Sequence, residues 1–169
     1  MKYQSLYSSQ HPSGFTLLEL LVVILIIGIL GAIAAPGWFG FVQRQRLNTA
    51  RNDLLGALRN AQTEATNRQE SRKVTFSSTD LSLTVSSTAA VTGGAVTTLG
   101  SGEIGDEIRL VASSPIVFDY DGRVNVNTPF VISVTHIESP QKRCVIVTTL
   151  LGGLKPANDD SCDSFTAVP

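Results

Sequence analysis

Few side chains in this chain are of a type and spacing that could do chemistry. Glu19 is the first, the one charged residue in the apolar stretch from Phe15 to Ala35. A carboxylate there costs on the order of 3 kcal/mol or more and calls for a partner or a task. His136, one of two histidines with His11, lies in the alternating stretch Ser133-Val134-Thr135-His136-Ile137 and reads as a surface strand residue. A Ser–His–Asp arrangement would have to use it, and the chain has neither a GxSxG nucleophile elbow nor a GxxxxGK[ST] phosphate loop. Adjacent Asp106 and Glu107 would face opposite sides of a strand and cannot work as a pair. Asp119 and Asp121 suggest calcium, but the further oxygens and closing glutamate of an EF-hand loop do not follow; turn geometry accounts for them better. Cys144 and Cys162 have too few histidines to complete a four-ligand zinc site. They read as a disulfide if this part lies outside the cytoplasm, worth about 3 kcal/mol by loop closure, or otherwise as two buried thiols. No catalytic residue, metal or cofactor is expected, and the chain does not read as an enzyme.

The element around Glu19 decides what it is for. About 20 apolar residues span a bilayer as a helix, and a helix satisfies its own backbone in lipid. Gly14-Phe15-Thr16-Leu17-Leu18-Glu19 followed by that apolar run resembles the processing site of type IV prepilins and of the pseudopilins of type II secretion. The resemblance implies a prepilin peptidase that cuts between Gly14 and Phe15 and N-methylates Phe15. It also implies a glutamate as fifth residue of the processed chain, here Glu19, and a helix-bending proline, here Pro36. Ser13 departs from the basic residue usual before the glycine. Cleavage would leave a free amine on Phe15, one helical turn from Glu19, and the two opposite charges would offset each other's burial. In this family the pairing is thought to run between neighbouring subunits, which makes Glu19 and Pro36 assembly residues. A secretory signal peptide would instead put small residues after its apolar core. The plain alternative is a signal anchor with one stray acid.

The elements follow in order. Residues 1–14 read as a cleaved leader, with Lys2 weakly in keeping with the positive-inside rule. Residues 15–36 read as the transmembrane and assembly helix, weakened by Gly28, Gly31 and Pro36. Residues 37–70 read as its amphipathic continuation. Leu47, Ala50, Leu54, Leu58, Ala61 and Ala65 recur at three- and four-residue spacing as one stripe, with Arg44 and Arg51 beside it. A helix from Phe15 to Arg68 would be about 80 Å long, with Trp38 and Phe39 suited to the lipid–water interface. Residues 44–73 hold seven basic side chains against three acids, and residues 74–169 five against ten. The basic helix face suits anionic lipid headgroups or acidic neighbouring subunits, or is simply solvated. The acidic remainder suits nucleic acid poorly, since phosphate contacts supply most non-specific affinity.

Residues 71–169 read as a β-rich head. Lys73–Phe76 and Leu81–Val85 alternate as strands do, and Gly93-Gly94 and Gly100–Gly105 read as turns. Ile116–Tyr120 and Arg123–Val126 read as a hairpin about Asp121-Gly122. Phe130–Thr135 and Cys144–Thr149 read as further strands, with Gly152-Gly153 after the second and a polar tail from 156. Phe118-Asp119-Tyr120-Asp121-Gly122-Arg123 resembles the head motif of the GspH/FimT group of minor pilins and pseudopilins, of which Phe118, Asp121, Gly122 and Arg123 are the marking residues. Some members carry a Gly-Arg-x-Arg-like stretch associated with DNA binding. This chain has Gly152-Gly153-Leu154-Lys155 and then Asp159, Asp160 and Asp163, so that property is not carried over.

The expected fold is α+β: a long N-terminal helix, its first half transmembrane, packed by its second half on an antiparallel sheet or two small ones. The expected protein is a structural minor pilin or pseudopilin of the bacterial inner membrane. It would be single-pass, with its head in the periplasm, and would join a pilus or pseudopilus with other pilin subunits. Two rivals remain: a DNA-binding minor pilin for uptake, and a membrane-anchored periplasmic binding domain that never assembles.

Overall fold

The computed structural model describes residues 14–89, 93–100, 107–137 and 140–163. The expected leader before Gly14 and most of the expected Gly100–Gly105 turn lie outside them, as does Asp106. The chain divides into two compact units between Gly40 and Phe41. Helix α1, Leu17–Arg68, contributes to both.

In the first unit the apolar composition fixes the element and nothing packs on it. Leu17–Ala34 has a mean hydropathy of 2.9, is long and apolar enough to cross a membrane, and has none of its residues buried. Such a helix, apolar all round, is stable in lipid rather than in water.

In the second unit α1 carries the stripe that the sequence spacing predicts. Leu47, Ala50, Leu54, Leu58 and Ala65 are fully buried and Ala61 nearly so, while Arg59 and Asn60 face solvent. The helix ends two residues short of the expected boundary at 70. Gln69 takes φ 52°, and the Glu70 N–H donates to Ala65 O at 3.1 Å. This is the reversal that closes a helix through a left-handed residue.

The stripe faces two antiparallel sheets. The first contains β1 (Arg72–Ser77), β2 (Ser82–Ser87), β3 (Ala95–Thr98) and β5 (Ile116–Phe118), in the order β3-β2-β1-β5. The second contains β4 (Ile108–Ala112), β6 (Phe130–His136), β7 (Lys142–Val147) and β8 (Leu154–Asn158), in the order β4-β6-β7-β8. Val74, Leu83, Ile116 and Phe118 from one sheet join Leu110, Ile132, Val134, Val145 and Val147 from the other around the helix in one core.

The strand β7 is buried on both faces. Val145 and Val147 enter the main core, whereas Cys144 and Ile146 enter a second, smaller one with Ala157 and Cys162, against which Val131 packs. The short helix α2, Asp160–Asp163, covers that outer face.

Several sequence expectations are corrected. Arg123–Val126 is not a strand but a single bridge: Val124 faces Phe118 between the bonds Asp119 N–H to Arg123 O at 2.8 Å and Asn125 N–H to Val117 O at 3.0 Å, while Val124 N–H turns outward to Leu150 O at 2.9 Å. The turn is not the two residues Asp121-Gly122. Gly122 N–H donates to Asp119 O and Asp119 N–H to Arg123 O, both at 2.8 Å, so the loop is Tyr120-Asp121-Gly122 with Gly122 at φ 81°. This is a three-residue connection with glycine in the left-handed position. His136 is buried, not on the surface: it continues the inward phase of Phe130, Ile132 and Val134 along β6 and pairs with Ile108 of β4, a strand that the sequence pattern did not reveal. β3 and β8 also lack a legible pattern. All of β3 is exposed, so nothing alternates, and β8 is an edge strand holding Pro156 where the sequence suggested only a polar tail.

Candidate functional site

The N-terminal group is built by the start of α1. Thr16 sits just before the helix, and its Oγ1 accepts the Glu19 N–H at 3.2 Å. Threonine followed three residues later by glutamate is the capping-box pattern, in which the side-chain oxygen satisfies one of the helix's orphan N–H groups. Glu19 also lies in the first turn, where the helix dipole favours a carboxylate. A role for Thr16 went unread in the sequence, although Thr-x-x-Glu before an apolar run is its known signal. Gly14, Phe15 and Glu19 are all exposed. Pro36 lies within α1, which continues through it.

The head motif lies in the other unit, where one glutamine gives it physical meaning. Gln62, on the α1 side facing the turns, donates from Nε2 to Gly122 O at 3.0 Å and to Leu151 O at 3.3 Å. It thereby ties the turn after β5 to the turn after β7. Gly122 takes φ 81°, where glycine is strongly favoured. Gly152 is more constrained still: φ is 77°, and a Cβ there would overlap Gln62 Nε2 and lie 2.7 Å from Gly122 O. Phe118 is fully buried in the main core. Asp121 and Arg123 pair across the turn, Oδ2 to Nε at 2.8 Å, and Asp119 accepts Ser71 Oγ–H at 3.2 Å. These carboxylates are occupied in holding the turn, which is the chemistry that their spacing supplies. Gln62 itself left no sequence signal, since it is a polar residue beside the stripe whose partners are distant in sequence.

Cys144 and Cys162 form a disulfide. It ties α2 to β7, with help from Lys142, whose N–H donates to Asp159 Oδ1 at 2.9 Å and whose Nζ pairs with Asp163 Oδ1 at 2.9 Å. Reducing the disulfide should lower the stability of the head by about 3 kcal/mol, as removing a staple of this loop length does. Thermal melting with and without reductant measures it. An unchanged Tm would mean that α2 stays docked on its polar contacts alone.

The basic side chains of α1 are partly spent on the head. Arg51 Nη1 donates to Asn158 Oδ1 at 2.7 Å. Arg46 lies 3.7 Å from Glu107 Oε2, whose same oxygen lies 3.4 Å from His136 Nε2. Arg72, buried after the helix ends, pairs with Glu64 at 3.5 Å and Glu70 at 3.3 Å. No group of three or more metal-ligating side chains occurs among the described residues.

Comparison with known proteins agrees with this division. Residues 10–35 match the prokaryotic N-terminal methylation motif, and residues 50–152 match the family described as type II transport protein GspH. The fimbrial protein EcpC of Eikenella corrodens is 47% identical over 55 residues, 32% of this chain and 35% of that protein. The type IV major pilin protein PilA of Myxococcus xanthus (strain DK1622) is 49% identical over 41 residues, 24% of this chain and 19% of that protein. The matched region thus spans about a third or less of these relatives. The fold resembles that of the type IV minor pilin FimU of Pseudomonas aeruginosa, with TM-score 0.56, 12% identity, and coverage of 69% of this chain and 92% of that one. It also resembles the minor pseudopilin EpsH of the Vibrio cholerae type 2 secretion system, with TM-score 0.52, 17% identity, and coverage of 66% and 96%.

Proposed function

Because the chain belongs to the GspH family of type II transport proteins and carries the N-terminal methylation motif ahead of it, we propose that it is a structural minor pilin or pseudopilin, cut between Gly14 and Phe15. On this reading residues 1–14 are the leader, 15–36 the membrane and assembly helix, 37–70 its amphipathic continuation and 71–169 the periplasmic head. The processed chain is anchored in the inner membrane and then enters a type IV pilus or type II secretion pseudopilus beside other pilin subunits. The observation that carries the reading is the pairing of an unpacked apolar helix, with a capped glutamate in its first turn, and a folded head on the same chain. An exposed apolar helix of this length demands burial, first in lipid and then against neighbouring helices.

The test is intact-mass analysis of the N-terminal peptide from the native host membrane. The expected chain starts at N-methylated Phe15. A chain starting at Met1, in a host with an active prepilin peptidase, would reduce the protein to a signal-anchored head that does not assemble.

A further inference from the structure

Three of the four sheet edges in the head unit are protected against pairing with another chain, and one is not. β8 carries Lys155 and Pro156, and β4 carries the exposed Arg109. The outer side of β5 is taken by the segment after it, whose Asn125 N–H donates to Val117 O at 3.0 Å. Charge, proline and cover are the usual protections of an edge. β3, Ala95-Val96-Thr97-Thr98, has none of them among the described residues and is exposed along its whole length. Its register shows which groups are open. Leu99 N–H donates to Leu81 O at 3.0 Å, in phase with the pairs Thr97–Leu83 and Ala95–Val85. Bonded and non-bonded pairs alternate along an antiparallel ladder, so Val96 and Thr98 turn their N–H and C=O away from β2. Gly100 N–H continues that outward row, and the Asp53 carboxylate of α1 accepts it at 2.8 Å.

A groove of about 580 Å³ runs between β3 and α1. Ala95 and Thr97 line one side, and Asp53, Gly56, Asn60 and Glu64 the other. A Cβ on Gly56 would meet nothing within 4 Å, so the helix leaves room there. The lining includes two carboxylates and, among the described residues, no basic side chain. Glu64 is shared by Arg68 and Arg72, whereas Asp53 accepts the Gly100 N–H and has no ion-pair partner among the described residues.

We propose that the β3 edge and this groove form an acceptor site for an extended segment of another protein, one that bears a lysine or arginine. The incoming strand exchanges backbone hydrogen bonds with Val96 and Thr98, as in strand addition to an open sheet edge. Its alternate side chains point into the groove over Gly56, with the basic one at the Asp53 end. Charge selects the occupant. A second copy pairing through its own β3 would bring Ala95-Val96-Thr97-Thr98, which has no base to answer Asp53, and charge complementarity is what sets register and partner at such contacts. The inference goes beyond the filament reading and does not depend on it.

The test uses the full chain in neutral-detergent micelles and a fluorescent, end-blocked probe peptide, Thr-Val-Thr-Val-Thr-Lys-Thr, with a twin in which glutamate replaces the lysine. Fluorescence anisotropy should show saturable binding of the lysine peptide, about tenfold tighter than that of its twin. Asp53→Asn keeps an oxygen for the Gly100 N–H and should remove most of that difference. Val96→Pro and Thr98→Pro should each weaken binding about tenfold, because proline lacks the outward N–H and its ring hinders the approach of a strand. Neither N–H serves the ladder with β2, so Tm should stay within about 2 °C of wild type in both. Thr97→Pro removes a ladder bond and should lower Tm, which checks the register. The absence of saturable binding at millimolar peptide, equal binding of the two peptides, or binding unchanged in both edge-proline variants overturns the proposal. A Tm lowered in Val96→Pro but not in Thr97→Pro overturns the outward row. Self-association of the chain without peptide, lost in Val96→Pro, assigns the edge to a second copy and overturns the basic occupant.

Discussion

Gly152→Ala should destabilise the head by about 2–5 kcal/mol, the sum of an alanine forced into the left-handed region and of overpacking at a close contact. The backbone at 152 has φ 77°, and a new Cβ would meet two groups that cannot both retreat. Gln62 could swing away, but only by giving up its bonds to Gly122 O and Leu151 O. Gly122 O is backbone, 2.7 Å from the new atom, and its turn is held by the Asp119 bonds. Thermal melting of the full chain in detergent should show a Tm lower by roughly 10 °C or more. Two controls separate this from a general cost of losing glycine. Gly56, in the middle of α1, has nothing within 4 Å of a new Cβ, so Gly56→Ala should stabilise by up to about 1 kcal/mol. Gly152→Ala in a Gln62→Ala background should recover part of the loss but not all, because the carbonyl remains. A Tm within about 2 °C of wild type for Gly152→Ala would mean that the two turns are not locked together, on a scale where 1 kcal/mol moves Tm by several degrees.

That junction also shows where reading the sequence stopped. The helix stripe was legible because each of its positions faces the core at a regular period, and β6 because it alternates cleanly, with burial in, half-in, in along its length. The double burial of β7 left a continuous apolar run that still reads as a strand. What failed had no local pattern. β3 is exposed throughout, β8 lies at an edge and carries a proline, and β4 follows a glycine-rich stretch that masks its start. His136 is in phase with the inward Phe130, Ile132 and Val134, so the alternation itself puts it on the buried face, and only its being a histidine suggested the surface. The head motif was visible as a string of letters, and its glycine was explicable as a turn. Its partner Gln62 was not, because the contact joins residues 60 apart. The N-terminal site was the most legible, since its charge, its apolar length and the methylation motif are all local. Even so, Thr16 caps the helix through the Glu19 backbone N–H, and a carboxylate in the first turn suits the helix dipole, a helical reason for an acid at 19 beside the proposed assembly one.

Those two reasons can be separated by substitution, and the expected result is that charge decides. In the assembly reading the Glu19 carboxylate neutralises the Phe15 amine of a neighbouring subunit in a medium of low dielectric. Removing one member of a buried pair leaves the other uncompensated, at a cost of about 3–5 kcal/mol, which corresponds to a hundredfold or greater fall in incorporation. Glu19→Ala and Glu19→Gln should therefore both be cut after Gly14, by intact mass, yet be absent from sheared filaments or pseudopili by immunoblot while accumulating in the membrane fraction. Glutamine is the informative variant. It can still occupy the third helical position of the capping box and bond back to the Thr16 backbone, but it carries no charge. Thr16→Ala makes the reverse change, removing a cap worth about 1 kcal/mol and leaving the carboxylate; it should reach the filament. Were Glu19→Gln to assemble like wild type and Thr16→Ala to fail, the glutamate would be a helix cap and the amine would need no partner. Were Glu19→Ala to assemble as well, the apolar helix alone would suffice. The free energy of assembly would then have to be sought in the head and in burial of the residues from Phe15 to Ala34, nearly all of which are exposed in the isolated chain.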